Sequence, residues 1–178
     1  CRAGNFLKKG LPFTGALKVL KVMMGYEYLW TQVRVKGGAY GCMCTFSRSG
    51  DSYFVSYRDP NLEKTIETYQ EAADYVKNYV ADERMVTQFI IGAVSELDTP
   101  MTPKGRGNYS LAGYLTGLTM DRIQQERDEL LATTAETIKG LSCYIEAFMK
   151  DDCLCVVGNG EKIKEEKKLF LSVDQLFH

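Results

Sequence analysis

The stretch that decides the fold is "RVKGGAYGCMCTFSRSGDSYFVSYRDPN", residues 34–61. Its glycine pair, Gly37-Gly38, separates a region of helical periodicity from two alternating runs, 42–48 and 52–58. Glycine commonly ends helices, so the pair predicts a corner between a helix and a strand. The two runs are joined by Ser49-Gly50-Asp51 and alternate large with smaller or polar residues, which predicts a β-hairpin.

Working outward, helices are predicted on both sides of the hairpin. Upstream, residues 13–33 carry apolar residues at helical spacing, namely Val19, Met23, Tyr26, Trp30 and Val33. The remaining polar stripe is narrow, which indicates burial on more than one side. Downstream, Asp59 is predicted to cap a helix over 60–80, with Pro60 at the first position.

The rest of the chain predicts further helices and one short strand. Helices are expected over 83–97, over 110–118, from Thr119 onward, and behind a capping box of Thr133 and Glu136. Residues 98–108 are expected to form a loop, and 153–158 a short buried strand. This order predicts an α+β fold, a mostly antiparallel sheet with helices packed on it.

Length and composition limit the possible classes of protein. The 178 residues suit a single domain over 1–178. With 22 basic and 23 acidic residues, the chain is not expected to bind nucleic acid or an anionic membrane. No apolar run approaches the roughly 20 residues that span a bilayer. The six cysteines, without Cys-x-x-Cys, are expected to be reduced, buried side chains in an intracellular protein.

Familiar catalytic templates do not fit. The only histidine is His178, so neither a His-x-x-Glu-His nor a His-Glu-x-x-His zinc site can be built from this chain. A Ser-His-Asp or Cys-His arrangement would need that same histidine. "KGGAYG" lacks the Gly-Lys-Ser/Thr ending of a phosphate-binding loop. We therefore expect no metal site here and no complete enzyme of a familiar kind.

The glycine-rich corner has two interpretations. In one, the glycines only supply positive φ and Arg34 is solvated. In the other, Arg34 and Tyr40 bind an electron-rich oxygen, because arginine offers charged donors and tyrosine one O–H on a stiff ring. Aimed at the carbonyl of a scissile peptide, they would stabilise the charge that develops there.

Four segments together resemble the presequence-protease branch of the pitrilysin/insulinase family of zinc metallopeptidases. They are "YLWTQVRVKGGAYGC", "FVSYRDPNLEKTIETY", "FIIGAVSELDTPMTPKGRG" and "YLTGLTMDRIQQERDELLATT", and the likeness runs from about Gly4 to Val157. The resemblance implies one of four related α+β domains, folded as two halves that close around a peptide. It places zinc and the general-base glutamate in the first of these domains, on an inverted His-x-x-Glu-His motif, and makes this chain the fourth.

The resemblance also implies roles for particular residues. Arg34 and Tyr40 match the arginine and tyrosine that the fourth domain contributes to the substrate carbonyl and its oxyanion. Gly37 and Gly38 match the family pattern between them and are expected at the substrate-binding site, with Arg58 as a further substrate contact. "CRAGN", residues 1–5, is interpreted as the tail of the domain's first strand.

For the parent protein, the resemblance implies zinc bound outside this chain. Its partners would be the remaining domains of the parent and peptide substrates. Its location would be intracellular, in bacterial cytoplasm or an organelle matrix. Two alternatives stay open. One is a domain of a non-catalytic family member that acts in substrate binding or assembly only; the other is a stand-alone interaction module. An intact His-x-x-Glu-His upstream would identify the enzyme.

Overall fold

A computed structural model describes residues 1–80 and 82–175, which form a four-stranded antiparallel sheet with helices packed on it. The α+β prediction is confirmed. The strands are β1 (Arg2–Asn5), β2 (Gly41–Phe46), β3 (Asp51–Tyr57) and β4 (Cys153–Leu154). Their order in the sheet is β2-β3-β1-β4, and each neighbouring pair is antiparallel. The predicted hairpin is thus β2 and β3.

Helices pack against this sheet and against one another. They are α1 (Ala16–Met23), continued by a π-helix (Met24–Lys36), α2 (Glu63–Lys77), α3 (Glu83–Leu97), α4 (Pro103–Thr116), α5 (Met120–Leu131), α6 (Ala135–Gly140), α7 (Ser142–Met149) and α8 (Gly160–Glu165). Short 3-10 turns cover Leu7–Lys9 and Lys167–Leu169. Across the described ranges, no helix has the length and apolar character to cross a bilayer.

The core lies between the sheet and the helices. Phe54 of β3 and Phe148 of α7 are fully buried, and their rings meet edge to face with centroids 5.1 Å apart. Side chains alternate along a strand, so Tyr53 and Tyr57 lie on the opposite face of β3 from Phe54. This leaves Tyr57 exposed at the end of the strand.

The helix predicted over 13–33 begins at Ala16 and ends at Lys36, beside the glycine pair as expected. Its second half is a π-helix, in which hydrogen bonds join residues five apart, so its turn is wider than that of an α-helix. Its buried residues are Met24, the neighbouring pair Tyr28 and Leu29, and Val33, so the buried positions recur every four or five residues. Tyr26 and Trp30 were expected on the buried stripe; they are instead 72% and 44% exposed.

The expected helix cap at Asp59 is wrong, because α2 begins only at Glu63. The Asp59 carboxylate instead accepts hydrogen bonds from the Asn61 backbone N–H at 2.9 Å and from the Thr65 hydroxyl at 2.7 Å. Asp59 therefore closes a turn before the helix and fastens that turn to the first helical residues.

Two further boundaries differ from the prediction. α4 begins at Pro103, inside the expected loop 98–108, because the Thr102 side chain caps it and proline suits a first helical position. The cap of α6 is Thr134, whose hydroxyl accepts from the backbone N–H of Thr137, and not Thr133.

The prediction for the cysteines is wrong in part. All six are free, but only Cys44 is buried, and burial raises the pKa of its thiol to about 12. β4 covers two residues of the strand predicted over 153–158, and Cys153 is exposed on it. His178, on which the exclusion of histidine catalysis depends, lies outside the described residues.

Candidate functional site

The last turns of the π-helix bring the predicted Arg34 against an aromatic ring. The guanidinium carbon of Arg34 lies 3.8 Å from the centroid of the Trp30 ring, four residues earlier. The Arg34 Nε–H donates to the backbone carbonyl of Tyr40 at 3.0 Å. A cation over the face of tryptophan is attracted by the ring's negative face. Arg34 is thus fixed at two points.

The glycine pair shapes the turn from the π-helix into β2. Gly38 has φ +80°, a conformation that favours glycine. A side chain on Gly37 would place its Cβ 2.4 Å from the carbonyl oxygen of Val33, closer than any real contact. The Asn61 side-chain amide donates to the Gly37 carbonyl and ties the turn to the segment before α2. These contacts return the chain so that Tyr40 lies beside Arg34.

Tyr40 stands at the entrance to β2 and is 66% exposed. Its backbone N–H donates to the Tyr57 carbonyl at 3.1 Å, and its ring meets the Tyr57 ring edge to face at 5.8 Å. The guanidinium carbon of Arg58 lies 5.7 Å from the centroid of the Tyr40 ring and 5.3 Å from that of Tyr57. The structure therefore groups Arg34, Tyr40 and Arg58 in one surface cluster around the start of β2, where Tyr40 and Arg58 are exposed and Arg34 is half-buried.

Arg58 has an unusual backbone. Its φ of +48° is in the left-handed region, where residues other than glycine are uncommon. This conformation ends β3 and starts the turn that Asp59 closes. Such outliers persist only where their surroundings hold them, and they cluster at functional sites.

The charge of this surface is positive. Within residues 1–80 and 82–175, neither Arg34 nor Arg58 makes an ion pair with an acidic side chain. Unpaired guanidinium groups and exposed phenols favour an electron-rich oxygen such as a peptide carbonyl or a carboxylate.

The chemistry of the neighbouring thiol argues against a cysteine nucleophile. Cys42 is half-buried close to Arg34; burial raises its pKa, and the positive charge of Arg34 offsets this only in part. A thiol with a raised pKa is protonated at neutral pH, whereas the thiolate is the nucleophile.

Side chains that could bind zinc do not cluster within residues 1–80 and 82–175. Across the part of the chain that the structure describes, no three His, Cys, Asp or Glu side chains converge so that they could hold a metal ion. This surface instead offers the hydrogen-bond donors of arginine and tyrosine side chains.

Sequence reasoning missed two members of the site, Trp30 and Tyr57. Trp30 was placed on the buried stripe because an α-helical period was assumed. Its spacing of four residues from Arg34 is the signal that was present, since side chains four apart on a helix are neighbours. For Tyr57, the signal was its position directly before Arg58 at the end of an alternating run.

Comparison with known proteins gives the family. Residues 1–157 match the family described as PreP C-terminal domain. Protein HypA from Clostridium perfringens is 42% identical over 97% of the chain, and presequence protease 1, chloroplastic/mitochondrial, from Arabidopsis thaliana is 34% identical over 91%. The mitochondrial presequence protease of Yarrowia lipolytica is 29% identical over 89%.

These relatives are much longer than the chain. The alignments cover 18%, 15% and 16% of their respective lengths. The match to the domain family extends over most of the chain and includes the whole Arg34–Tyr40–Arg58 surface. The chain therefore belongs to the PreP C-terminal domain family, within the pitrilysin/insulinase family.

Proposed function

We propose that residues 1–178 are the C-terminal, substrate-facing domain of a zinc-dependent metallo-oligopeptidase that degrades peptides in a closed chamber. In this proposal the domain contributes Arg34 and Tyr40 to the carbonyl of the scissile peptide and to its developing oxyanion. The observation that supports it is the hydrogen bond from the Arg34 Nε–H to the Tyr40 backbone carbonyl, which holds the two residues next to each other at the start of β2. The presequence proteases among its relatives support a peptidase.

The free donors of the two side chains suit this role. Arg34 uses its Nε on the Tyr40 carbonyl, and its terminal nitrogens make no hydrogen bond within the described residues. The Tyr40 hydroxyl is likewise without a partner there. A charged donor and a neutral one can meet on a single oxygen, and such donors are worth most where negative charge develops.

Arg58 and the glycine pair complete the proposed site. The Arg58 guanidinium lies beside the Tyr40 ring and makes no ion pair within the described residues. It can therefore contact an acceptor elsewhere on the bound peptide. Gly37 and Gly38 contribute through the turn, which leaves the backbone next to Arg34 without side chains.

The metal and the partners lie outside this chain in the proposal. Zinc would be held by another domain of the parent, and the remaining domains and peptide substrates would be the partners. We propose an intracellular location, in bacterial cytoplasm or an organelle matrix, in line with the mitochondrial and chloroplastic names of several relatives.

The test uses the complete protein that contains this chain. Arg34→Ala and Tyr40→Phe should each lower kcat/KM on a peptide substrate by about a hundredfold, since one oxyanion donor is typically worth that much. Arg84→Ala and Tyr114→Phe are matched controls, because both residues are exposed and lie on α3 and α4, helices that contribute no residue to the site. Losses below about tenfold for both site variants would remove the catalytic role. The presence of His-x-x-Glu-His upstream separates an enzyme from a non-catalytic family member.

A further inference from the structure

We propose that Trp30 is a positioning residue for Arg34, holding its guanidinium so that the terminal nitrogens are ready for the substrate oxygen. This inference rests on the proposed function of Arg34 and names a residue on which that function depends. The observation behind it is the 3.8 Å approach of the Arg34 guanidinium carbon to the centroid of the Trp30 ring.

The π-helix explains why a tryptophan is available at this place. The buried positions around it are Leu29 and Val33, each one residue before a member of the pair. With this wider turn, Trp30 and Arg34 both lie on the exposed side, while their separation of four residues keeps them adjacent. An α-helical continuation of the stripe from Met23 would have turned Trp30 toward the core.

Packing does not account for the exposed part of Trp30. The side chain is 44% exposed, and its indole N–H makes no hydrogen bond within the described residues. Among the aromatic and cationic groups described, the stacking partner of its ring is Arg34. Tryptophan offers the best ring face for a cation.

Two fixed points restrict a long side chain. The Nε–H of Arg34 is held by the Tyr40 carbonyl, and the flat face of the guanidinium is held by the indole. An arginine ordered before the substrate arrives loses less conformational freedom on binding, which favours the correctly placed donor. Removing the ring should therefore weaken catalysis without removing the charge.

The experiment compares Trp30→Leu with Trp30→Phe in the complete protein. Leucine keeps an apolar side chain without a ring face, whereas phenylalanine keeps the face. We expect Trp30→Leu to lower kcat/KM by about three- to tenfold, mainly through kcat, and Trp30→Phe to restore most of the loss. Tyr26→Leu is the matched control, because Tyr26 is exposed on the same π-helix and should leave kcat/KM unchanged. If both Trp30 variants unfold at the same temperature as the unsubstituted protein, a loss of folding does not cause the change in kcat/KM.

A double-mutant cycle with Arg34→Ala shows whether Trp30 acts through Arg34. If it does, Trp30→Leu has no further effect once Arg34 is alanine. A Trp30→Leu loss that persists in the Arg34→Ala background, or the absence of any loss with Arg34 intact, overturns the positioning role alone. If Arg34→Ala itself leaves kcat/KM intact, the part of Arg34 in the proposed function fails, and the positioning role fails with it.

Discussion

A buried carboxylate joins three elements of the fold, and removing its main partner gives a sharp test of the packing. Glu126 of α5 is 2% exposed. It accepts hydrogen bonds from Arg48 in the β2–β3 turn, at 2.8 and 3.0 Å from Nε and 2.7 Å from Nη2. Lys18 of α1 lies 3.2 Å away, and Arg122 of α5 lies 3.5 Å away. The perturbation is Arg48→Ala.

The magnitude follows from which charge is left without a partner. Arg48→Ala leaves the buried carboxylate with only Lys18 and the more distant Arg122, and breaking a buried pair in this way costs about 3–5 kcal/mol. Because Lys18 still neutralises part of the charge, we expect the lower end, about 3 kcal/mol of unfolding free energy. Glu126→Gln removes the buried charge instead and leaves cations that can reach water. It should cost less, about 2 kcal/mol.

The effect should depend on pH. Burial alone would raise the pKa of Glu126, but hydrogen bonds and charge from Arg48, with the charge of Lys18, outweigh it and hold the pKa below its ordinary value. A lowered pKa in the folded state stabilises the protein above the unfolded pKa, about 4.3, and the contribution is lost as pH falls through the folded value. The gap between the original chain and Arg48→Ala should therefore narrow in acid.

The assay is urea unfolding of the chain followed by circular dichroism, at neutral pH and at several acid pH values. Arg127→Ala is the matched control, because Arg127 makes a bidentate pair with Asp98 at 2.6 and 2.8 Å on the exposed side of α5. Exposed pairs contribute little, so its effect should be a small fraction of that of Arg48→Ala. Equal losses from the two arginines, or a gap that widens in acid, would refute the reasoning.

Two further predictions concern backbone approach and core volume, each measured by urea unfolding. Gly15→Ala should lower the free energy of unfolding by about 3 kcal/mol, because the new Cβ would lie 1.7 Å from the carbonyl oxygen of Glu126. Gly140→Ala, with open space around it, should instead raise that free energy by about 0.5 kcal/mol or more. Equal effects of the two substitutions would contradict the contact at Gly15. Phe148→Ala should lower the free energy of unfolding by about 3–5 kcal/mol, because the ring is fully buried between other phenylalanines. Leu171→Ala, at a fully exposed position, should not change it measurably. A loss near zero for Phe148→Ala would mean that the core does not depend on this ring.

Local patterns predicted the hairpin and most helices because their signals are short in range. The alternation of 42–48 and 52–58 and the glycine pair needed no knowledge of the rest of the chain. The capping residues were harder to assign, since Asp59, Thr133 and Thr134 are all chemically able to cap. Which of them does so is decided by where the backbone enters the helix, and tertiary contacts such as that of Asp59 with Thr65 settle this.

The residues of the candidate site were likewise predicted where the signal was short in range. Arg34, Tyr40 and Arg58 were identified from residue type and resemblance, and the approach of Arg58 to Tyr40 follows from the pairing of β2 with β3. The role of Trp30 was missed because an α-helical period was assumed where the chain forms a π-helix. That choice depends on packing against the sheet and α2, which a single sequence does not display.

The position of the site within the fold gives it a rigid base. The Tyr40 backbone is bonded to β3, the Gly37 carbonyl to Asn61, and the turn at Asp59 to the start of α2. β3 and α2 are in turn joined through the core, where the Phe54 and Tyr69 rings have centroids 5.6 Å apart. A helix end, a hairpin and a second helix thus fix the backbone that carries the side chains of the candidate site. Sites built on helices and strands are more precisely positioned than sites on loops. The donors of the candidate site should therefore be in place before an oxygen atom binds them.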